Sequence, residues 1–218
     1  MTASTSSSLT PEIKTIFWDI GGVLLTNGWD TRQRAHTLTP LGVDLADFES
    51  RYEAANFFWE RGLSTSREFF NKTLFHVEGL TRHFSFTYET LWPLVCAESK
   101  VLHPGAFNVL ASLKSSGKYK LATLNNESRE LNEYRLDTFD LRRYFDYFIC
   151  SGYVREMKPN PDIYRTAIEV SGLPPQTALF IDDRSTNCNA AIALGMNAIV
   201  FESPEQLTRD LEKIGVQA

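Results

Sequence analysis

The sequence predicts an α/β fold: a parallel sheet with helices on both faces, interrupted once by a helical insertion. Three observations carry this. Residues 13–18, 119–124, 147–150, 178–181 and 198–201 form five short apolar runs that are nearly continuous, as strands buried on both faces are. Helical patterns separate the later runs, and strand alternating with helix means a parallel sheet. Residues 30–99 break that rhythm with helical stretches and no strand-like run.

Taken in order, the first run closes on Asp19 and is followed by Ile20-Gly21-Gly22-Val23. Inside the insertion, helices are expected over 45–59, 64–74 and 84–94. Ser64, Thr65 and Ser66 offer caps to the second, with Glu68 as its early acid. Pro93 is expected to kink or end the third. Phe57, Phe58, Trp59, Phe69 and Phe70 read as the core of this unit. Beyond it, a helix over 104–116 stops at Gly117, a C-cap signal. Residues 161–171 place Ile163, Tyr164, Ala167 and Ile168 on one stripe, and a helix over 185–194 stops at Gly195. The boundaries expected are a tail at 1–11 without regular structure, a core domain from 12–29 and 100–218, and a helical domain at 30–99.

Composition narrows the class. The chain has 218 residues, 43% hydrophobic and 22% charged, which suits a soluble domain with a sizeable core. A formal net charge of -5 gives no field that would draw nucleic acid or an anionic membrane. The pairs Arg32/Arg34 and Arg142/Arg143 read as solvated helix faces. Cys96, Cys150 and Cys188 are odd in number and far apart, which fits reduced thiols and a cytoplasmic location. The serine-rich start lacks the basic and apolar segments of a signal peptide.

The chemistry-bearing residues fall where strands end. Asp19, Asn125 and the pair Asp182-Asp183 each close a predicted strand, and in an open parallel sheet ligands bind beyond those ends. Acids from two loops can supply hard oxygen ligands to Mg²⁺. A carboxylate can also attack a phosphoryl group, provided cations offset the repulsion between two anions. Lys158, in Met157-Lys158-Pro159, is the candidate lysine for that task.

Four segments in order then resemble the haloacid dehalogenase (HAD) superfamily, in particular its small members with a helical cap. They are Phe17-Trp18-Asp19-Ile20-Gly21-Gly22-Val23, Leu121-Ala122-Thr123-Leu124-Asn125-Asn126, Lys158-Pro159, and Phe180-Ile181-Asp182-Asp183 followed by Asn187. The resemblance covers nearly all of the chain after the tail. It implies a Rossmann-like core with an inserted cap, and a Mg²⁺-dependent phosphatase that acts on a small phosphorylated metabolite, sugar-phosphate-like, through an aspartyl phosphate. By that resemblance Asp19 is nucleophile and metal ligand, joined at the metal by the Gly21 carbonyl, by Asp183 directly, and by Asp182 directly or through water. Lys158 bridges nucleophile and phosphate. Gly22, Asn125, Asn126 and Lys158 hold the phosphate, and Asn187 positions the metal-binding loop. Asn27, Trp29, Trp59 and Arg61 are the candidates for substrate selection. The only partner expected is the substrate itself; monomer and homodimer stay open.

Two positions depart from the family pattern. Gly21 stands where most of its phosphatases carry an aspartate that protonates the leaving group. Asn125 stands where Ser or Thr is usual. Three rivals therefore remain at this level: a metal-free dehalogenase using the same aspartate, a phosphonate-cleaving enzyme with Lys72 as its Schiff-base lysine, and a binding or regulatory protein on a retired enzyme scaffold.

Overall fold

The computed structural model describes residues 12–79 and 83–217. The expectation for the tail at 1–11 lies outside them. Five parallel strands form one sheet: β1 (Thr15–Trp18), β2 (Lys120–Asn125), β3 (Tyr147–Cys150), β4 (Ala178–Asp182) and β5 (Asn197–Val200), in the order β3-β2-β1-β4-β5. Register is continuous across the centre, with Trp18 beside Thr123 on one side and Ile181 on the other.

Alternate side chains of each strand serve opposite faces, the period-two rule of a pleated sheet. Ile16, Trp18, Leu121, Leu179 and Ile181 join one hydrophobic cluster, while Phe17, Ala122, Leu124 and Phe180 join another. The first is covered by helix α5 (Pro104–Ser116) and by α10 (Pro204–Lys213), the second by α8 (Pro161–Ser171) and α9 (Ser185–Ala193). Both faces are buried, so the strands read as continuous apolar runs. Each fully buried large side chain contributes roughly 1.5–3 kcal/mol.

Between β1 and β2 the chain forms α1 (Thr31–Leu38), α2 (Leu45–Trp59), α3 (Ser66–Phe70), a wider turn over Asn71–Phe75, and α4 (Tyr88–Ala97). These share a third cluster around Trp29, Phe48, Tyr52, Trp59, Phe69, Phe70 and Leu91. Thr65 caps α3 in a reciprocal box with Glu68, as the sequence pattern implies. Helix α3 is shorter than expected. The Thr73 hydroxyl donates to the Phe69 carbonyl at 2.9 Å, and Arg51 donates to the Thr73 carbonyl. These side-chain bonds compete with the helical ladder where the turn widens.

Three other expectations change. Helix α4 runs through Pro93 to Ala97. Phe57 and Phe58 lie on the outer face of α2, 50% and 45% exposed, because only every third or fourth position of that helix meets the cluster. Arg34 is no solvated surface charge: it is buried, pairs with Glu49 at 2.6 Å and stacks on Tyr52. Helices α1 and α6 (Arg129–Thr138) were not foreseen, since their buried faces include polar residues such as Gln33, Arg34, Asn132 and Arg135. The three cysteines are free and buried. Among the described residues no helix is long and apolar enough to cross a membrane.

Candidate active site

The strand order places the site. From β1 the chain moves outward through β2 and β3 on one side, then returns to build β4 and β5 on the other. Loops leaving β1 and β4 therefore diverge, opening the crevice where open α/β sheets bind ligands. Asp19 and Asp182 sit on its two lips. The Asp19 amide donates to the Ile181 carbonyl at 2.9 Å, so the two ends are tied by backbone.

Lys158 is buried between them. Its Nζ is 3.0 Å from Asp19 Oδ1 and 2.6 Å from Asp182 Oδ2. Burial alone would strip its proton, but the two carboxylates outweigh that and hold its pKa above the ordinary lysine value. Burial, with Asp182 and Asp183 adding to it against Lys158, pushes Asp19 up to about 7. The Asn126 side chain clamps the Lys158 backbone from both ends, accepting from its N–H at 2.8 Å and donating to its carbonyl at 2.9 Å.

The two acids of the β4 end differ sharply. Asp182 is saturated: Oδ1 accepts from the Arg184 amide at 2.8 Å, both oxygens accept from Asn187 Nδ2 at 3.0 Å, and Oδ2 also holds Lys158. Asp183 Oδ1 is buried and has no hydrogen-bond partner. Nor does Asp183 cap α9, whose N-cap is Arg184 with no side-chain bond. Oxygens of Asp19, Asp182 and Asp183 lie within 4.8 Å of one another. Three carboxylates facing one ammonium leave an uncompensated negative charge, and burial pushes Asp183 up in response. A divalent cation fits this donor set, and the bare Asp183 oxygen could serve as one of its ligands.

A cavity of about 410 Å³ opens over these groups. Asp19, Gly21, Asn27, Asn125, Asn126, Lys158 and Asn187 line it from the sheet side, while Trp29, packed in the insertion's cluster, and Arg34, Tyr52, Glu53, Asn56 and Glu60 line it from the helical insertion. The insertion is pinned to the sheet domain close by, at the short helix α7 (Ser151–Val154). Ser151 Oγ donates to the Glu60 carbonyl at 2.6 Å, and Arg61 donates to the Arg155 carbonyl and pairs with Glu156, both at 2.8 Å.

Several expected site residues fall elsewhere. Gly22 does not offer its N–H to a phosphate, because it donates to the Leu25 carbonyl at 2.8 Å. Its missing side chain serves Asp183 instead, since a Cβ there would lie 2.3 Å from Asp183 Oδ2. Asn125 spends its Nδ2 on Asn132 Oδ1 at 3.1 Å, leaving its own Oδ1 buried and unpartnered. Nδ2 carries a second N–H, so an anion contact there does not require the bond to Asn132 to break. Trp59 is stacked on Phe69 inside the insertion and does not line the cavity. Arg61 fastens the insertion and does not line the cavity either. Lys72 lies beside Phe58 in a separate outer groove, so it reaches no substrate at Asp19.

Sequence reasoning missed a buried ion pair beside the cavity, which Arg135 lines. Glu127 meets Arg135 at 3.2 Å, and Arg135 also donates to the Thr26 carbonyl and to Ser99 Oγ. Burial, opposed by Arg135, pushes Glu127 up to about 7. The one available signal was Gly28, where a Cβ would fall 2.1 Å from Glu127 Oε2.

The model of the haloacid dehalogenase-like hydrolase family matches residues 13–195. The chain belongs to that family. This HAD-like hydrolase is 35% identical over 80 residues to the chloroplast flavin mononucleotide hydrolase 1 of Arabidopsis thaliana, which covers 37% of this chain and 33% of the relative. It is 34% identical over 86 residues to a phosphoglycolate phosphatase of Aquifex aeolicus, covering 39% and 40%. The chain thus spans well under half of either relative. Its fold is that of a HAD family enzyme of Bacteroides thetaiotaomicron, solved in complex with magnesium and inorganic phosphate. The TM-score is 0.72 at 22% identity, over 88% of this chain and 95% of that one.

Proposed function

We propose that this hydrolase is a Mg²⁺-dependent phosphatase that acts on a small, hydroxyl-rich phosphate ester of the sugar-phosphate kind, through an aspartyl phosphate on Asp19. The observation that carries the reading is one constellation: Asp19 at the cavity floor, bonded to Lys158, with the unpartnered Asp183 oxygen in its immediate cluster. Asp19, Asp183 and the backbone at Gly21 would hold the cation, whose chemistry is to neutralise charge on the transferring phosphoryl group. Lys158 supplies the second positive charge and holds Asp19 as the attacking carboxylate. Asp182 and Asn187 keep Lys158 aimed. The helical insertion acts as the cap, presenting Asn56, Glu53 and Tyr52 to the part of the substrate beyond the phosphate. A wall rich in amide and carboxylate groups suits hydroxyls better than an apolar ring. The phosphoglycolate phosphatase likeness and the phosphate complex of the Bacteroides enzyme support the reaction class.

The test is release of inorganic phosphate from p-nitrophenyl phosphate and from a panel of sugar phosphates. Activity is expected with Mg²⁺, abolished by EDTA, and restored by added Mg²⁺. Asp19→Asn should reduce release to background while circular dichroism stays that of the wild type. Release that persists in EDTA, or in Asp19→Asn, contradicts the reading.

A further inference from the structure

Breaking a phosphate ester of an alcohol leaves an alkoxide, which needs a proton as the bond breaks, and general acid help of this kind is typically worth ~10²–10⁴-fold. Residue 21 has no side chain to give one. The remaining proton carriers that line the cavity, among the described residues, are few. Lys158 is clamped between two carboxylates, and the guanidinium groups of Arg34, Arg135 and Arg184 do not release a proton near neutral pH. Asp30 is committed to capping α1 in a reciprocal box with Gln33. Burial pushes the Tyr52 phenol far up, so it keeps its proton. Glu53 also lines the cavity but, unlike Glu60, is exposed to solvent. That leaves Glu60.

We propose that Glu60 is the acid that protonates the leaving oxygen and the base that then activates water. The assignment rests on the phosphatase reading above. Glu60 ends α2 and faces the same cavity as Asp19. Its position relative to the sheet is set twice. Its own carbonyl accepts from Ser151 Oγ, and the next residue, Arg61, is held by Arg155 and Glu156. The end of α2 that carries Glu60 is thereby held against the cavity that Asp19 also lines. Its chemistry suits the role. Burial raises its pKa, while the Asn56 side chain, Arg184 and Arg34 oppose the shift and Glu53 adds to it. Tyr52 on α2, Glu127 after β2 and Cys150 on β3 are the other titratable groups facing it.

The steps balance. An Asp19 oxygen forms a bond to phosphorus as the phosphorus–oxygen bond to the leaving group breaks. The leaving-group oxygen keeps the electron pair of the broken bond and takes the Glu60 proton, leaving a Glu60 carboxylate. Water then attacks phosphorus and gives its proton to Glu60, and the Asp19–phosphorus bond breaks with its pair returning to Asp19. The net change is ester plus water to alcohol plus phosphate, with Glu60 protonated again.

The experiment compares kcat/KM of the wild type and Glu60→Gln on phenyl phosphate, a poor leaving group, and on p-nitrophenyl phosphate, a good one, with Mg²⁺ present across pH 5–9. The amide is isosteric with the neutral acid, and the bond from Ser151 uses backbone, so the variant keeps its fold. Glu60→Gln should lose about 10²–10³-fold on phenyl phosphate and less than about tenfold on p-nitrophenyl phosphate. The fall of kcat/KM at high pH should disappear with it. Glu60→Asp should keep that high-pH fall at a reduced rate. Equal losses on both esters, or an unchanged pH profile, would overturn the assignment and leave the phosphatase reading standing. No phosphate release by the wild type from either ester would overturn both.

Discussion

Two adjacent aspartates at the end of β4 are bonded differently, and the difference is visible atom by atom. Asp182 has both oxygens committed to Lys158, Asn187 and the Arg184 amide, whereas Asp183 has one buried oxygen with no partner. On the proposed reading Asp182 would act through Lys158, and Asp183 on the cation. Asp183→Asn is expected to weaken Mg²⁺ binding at least tenfold by calorimetric titration. Asp182→Asn is expected to leave that affinity within a few-fold, yet to lower kcat strongly, because the lysine loses the partner that aims it. A larger Mg²⁺ defect in Asp182→Asn than in Asp183→Asn would reverse the assignment. Gly22 belongs to the same arrangement: its φ of 76° and missing Cβ let the backbone pass directly against Asp183. The sequence shows that glycine plainly but not its use, since a glycine that feeds a phosphate and one that makes room for a carboxylate look alike.

At the level of elements, the strands were legible and the contacts between insertion and sheet domain were not. Continuous apolar runs marked the strands, all within two residues of those observed, because burial on both faces leaves an unmistakable pattern. Asp19, Asn125 and Asp182-Asp183 were legible for the same reason, each closing such a run. Arg61, Ser151 and Glu156 carry no local signal, since their partners lie some ninety residues away along the chain. Trp59 misled because an aromatic beside a site and an aromatic inside a helical core have the same sequence appearance; stacking on Phe69 decides it. The junction they form is tight at Gly62, which follows α2 with φ 61° and would place a Cβ 1.9 Å from the Gly152 carbonyl oxygen. Gly62→Ala therefore forces the insertion away from the sheet domain. It should cost about 1–3 kcal/mol in urea unfolding and raise KM more than it lowers kcat, because the wall carrying Tyr52, Asn56 and Glu60 shifts. A variant with wild-type stability and KM would mean the junction is free to open.

Across the whole molecule, buried carboxylates set the response to pH. Asp19 and Glu127 are pushed up to about 7 from ordinary values of 3.8 and 4.5, chiefly by burial, and burial also raises Glu60 and Asp183. Between those ordinary values and about 7 the unfolded chain has released protons that the folded chain keeps. The folded state then binds more protons, so stability falls as pH rises through that window. Glu68, Glu89, Asp146, Glu205 and Asp210 are shifted the other way, and what they contribute is lost only at more acid pH, below the ordinary carboxylate values. The metal-free protein should therefore melt several degrees higher at pH 5.5 than at pH 8. A dication beside Asp19 and Asp183 offsets their repulsion and binds only the folded state, so saturating Mg²⁺ should raise the melting temperature more at pH 8 than at pH 5.5 and flatten the profile. Differential scanning calorimetry in EDTA and in excess Mg²⁺ checks both slopes. A metal-free melting temperature that climbs from pH 5.5 to 8 would show that these acids are not held protonated in the fold, and that Lys158 and Arg135 already balance them unaided.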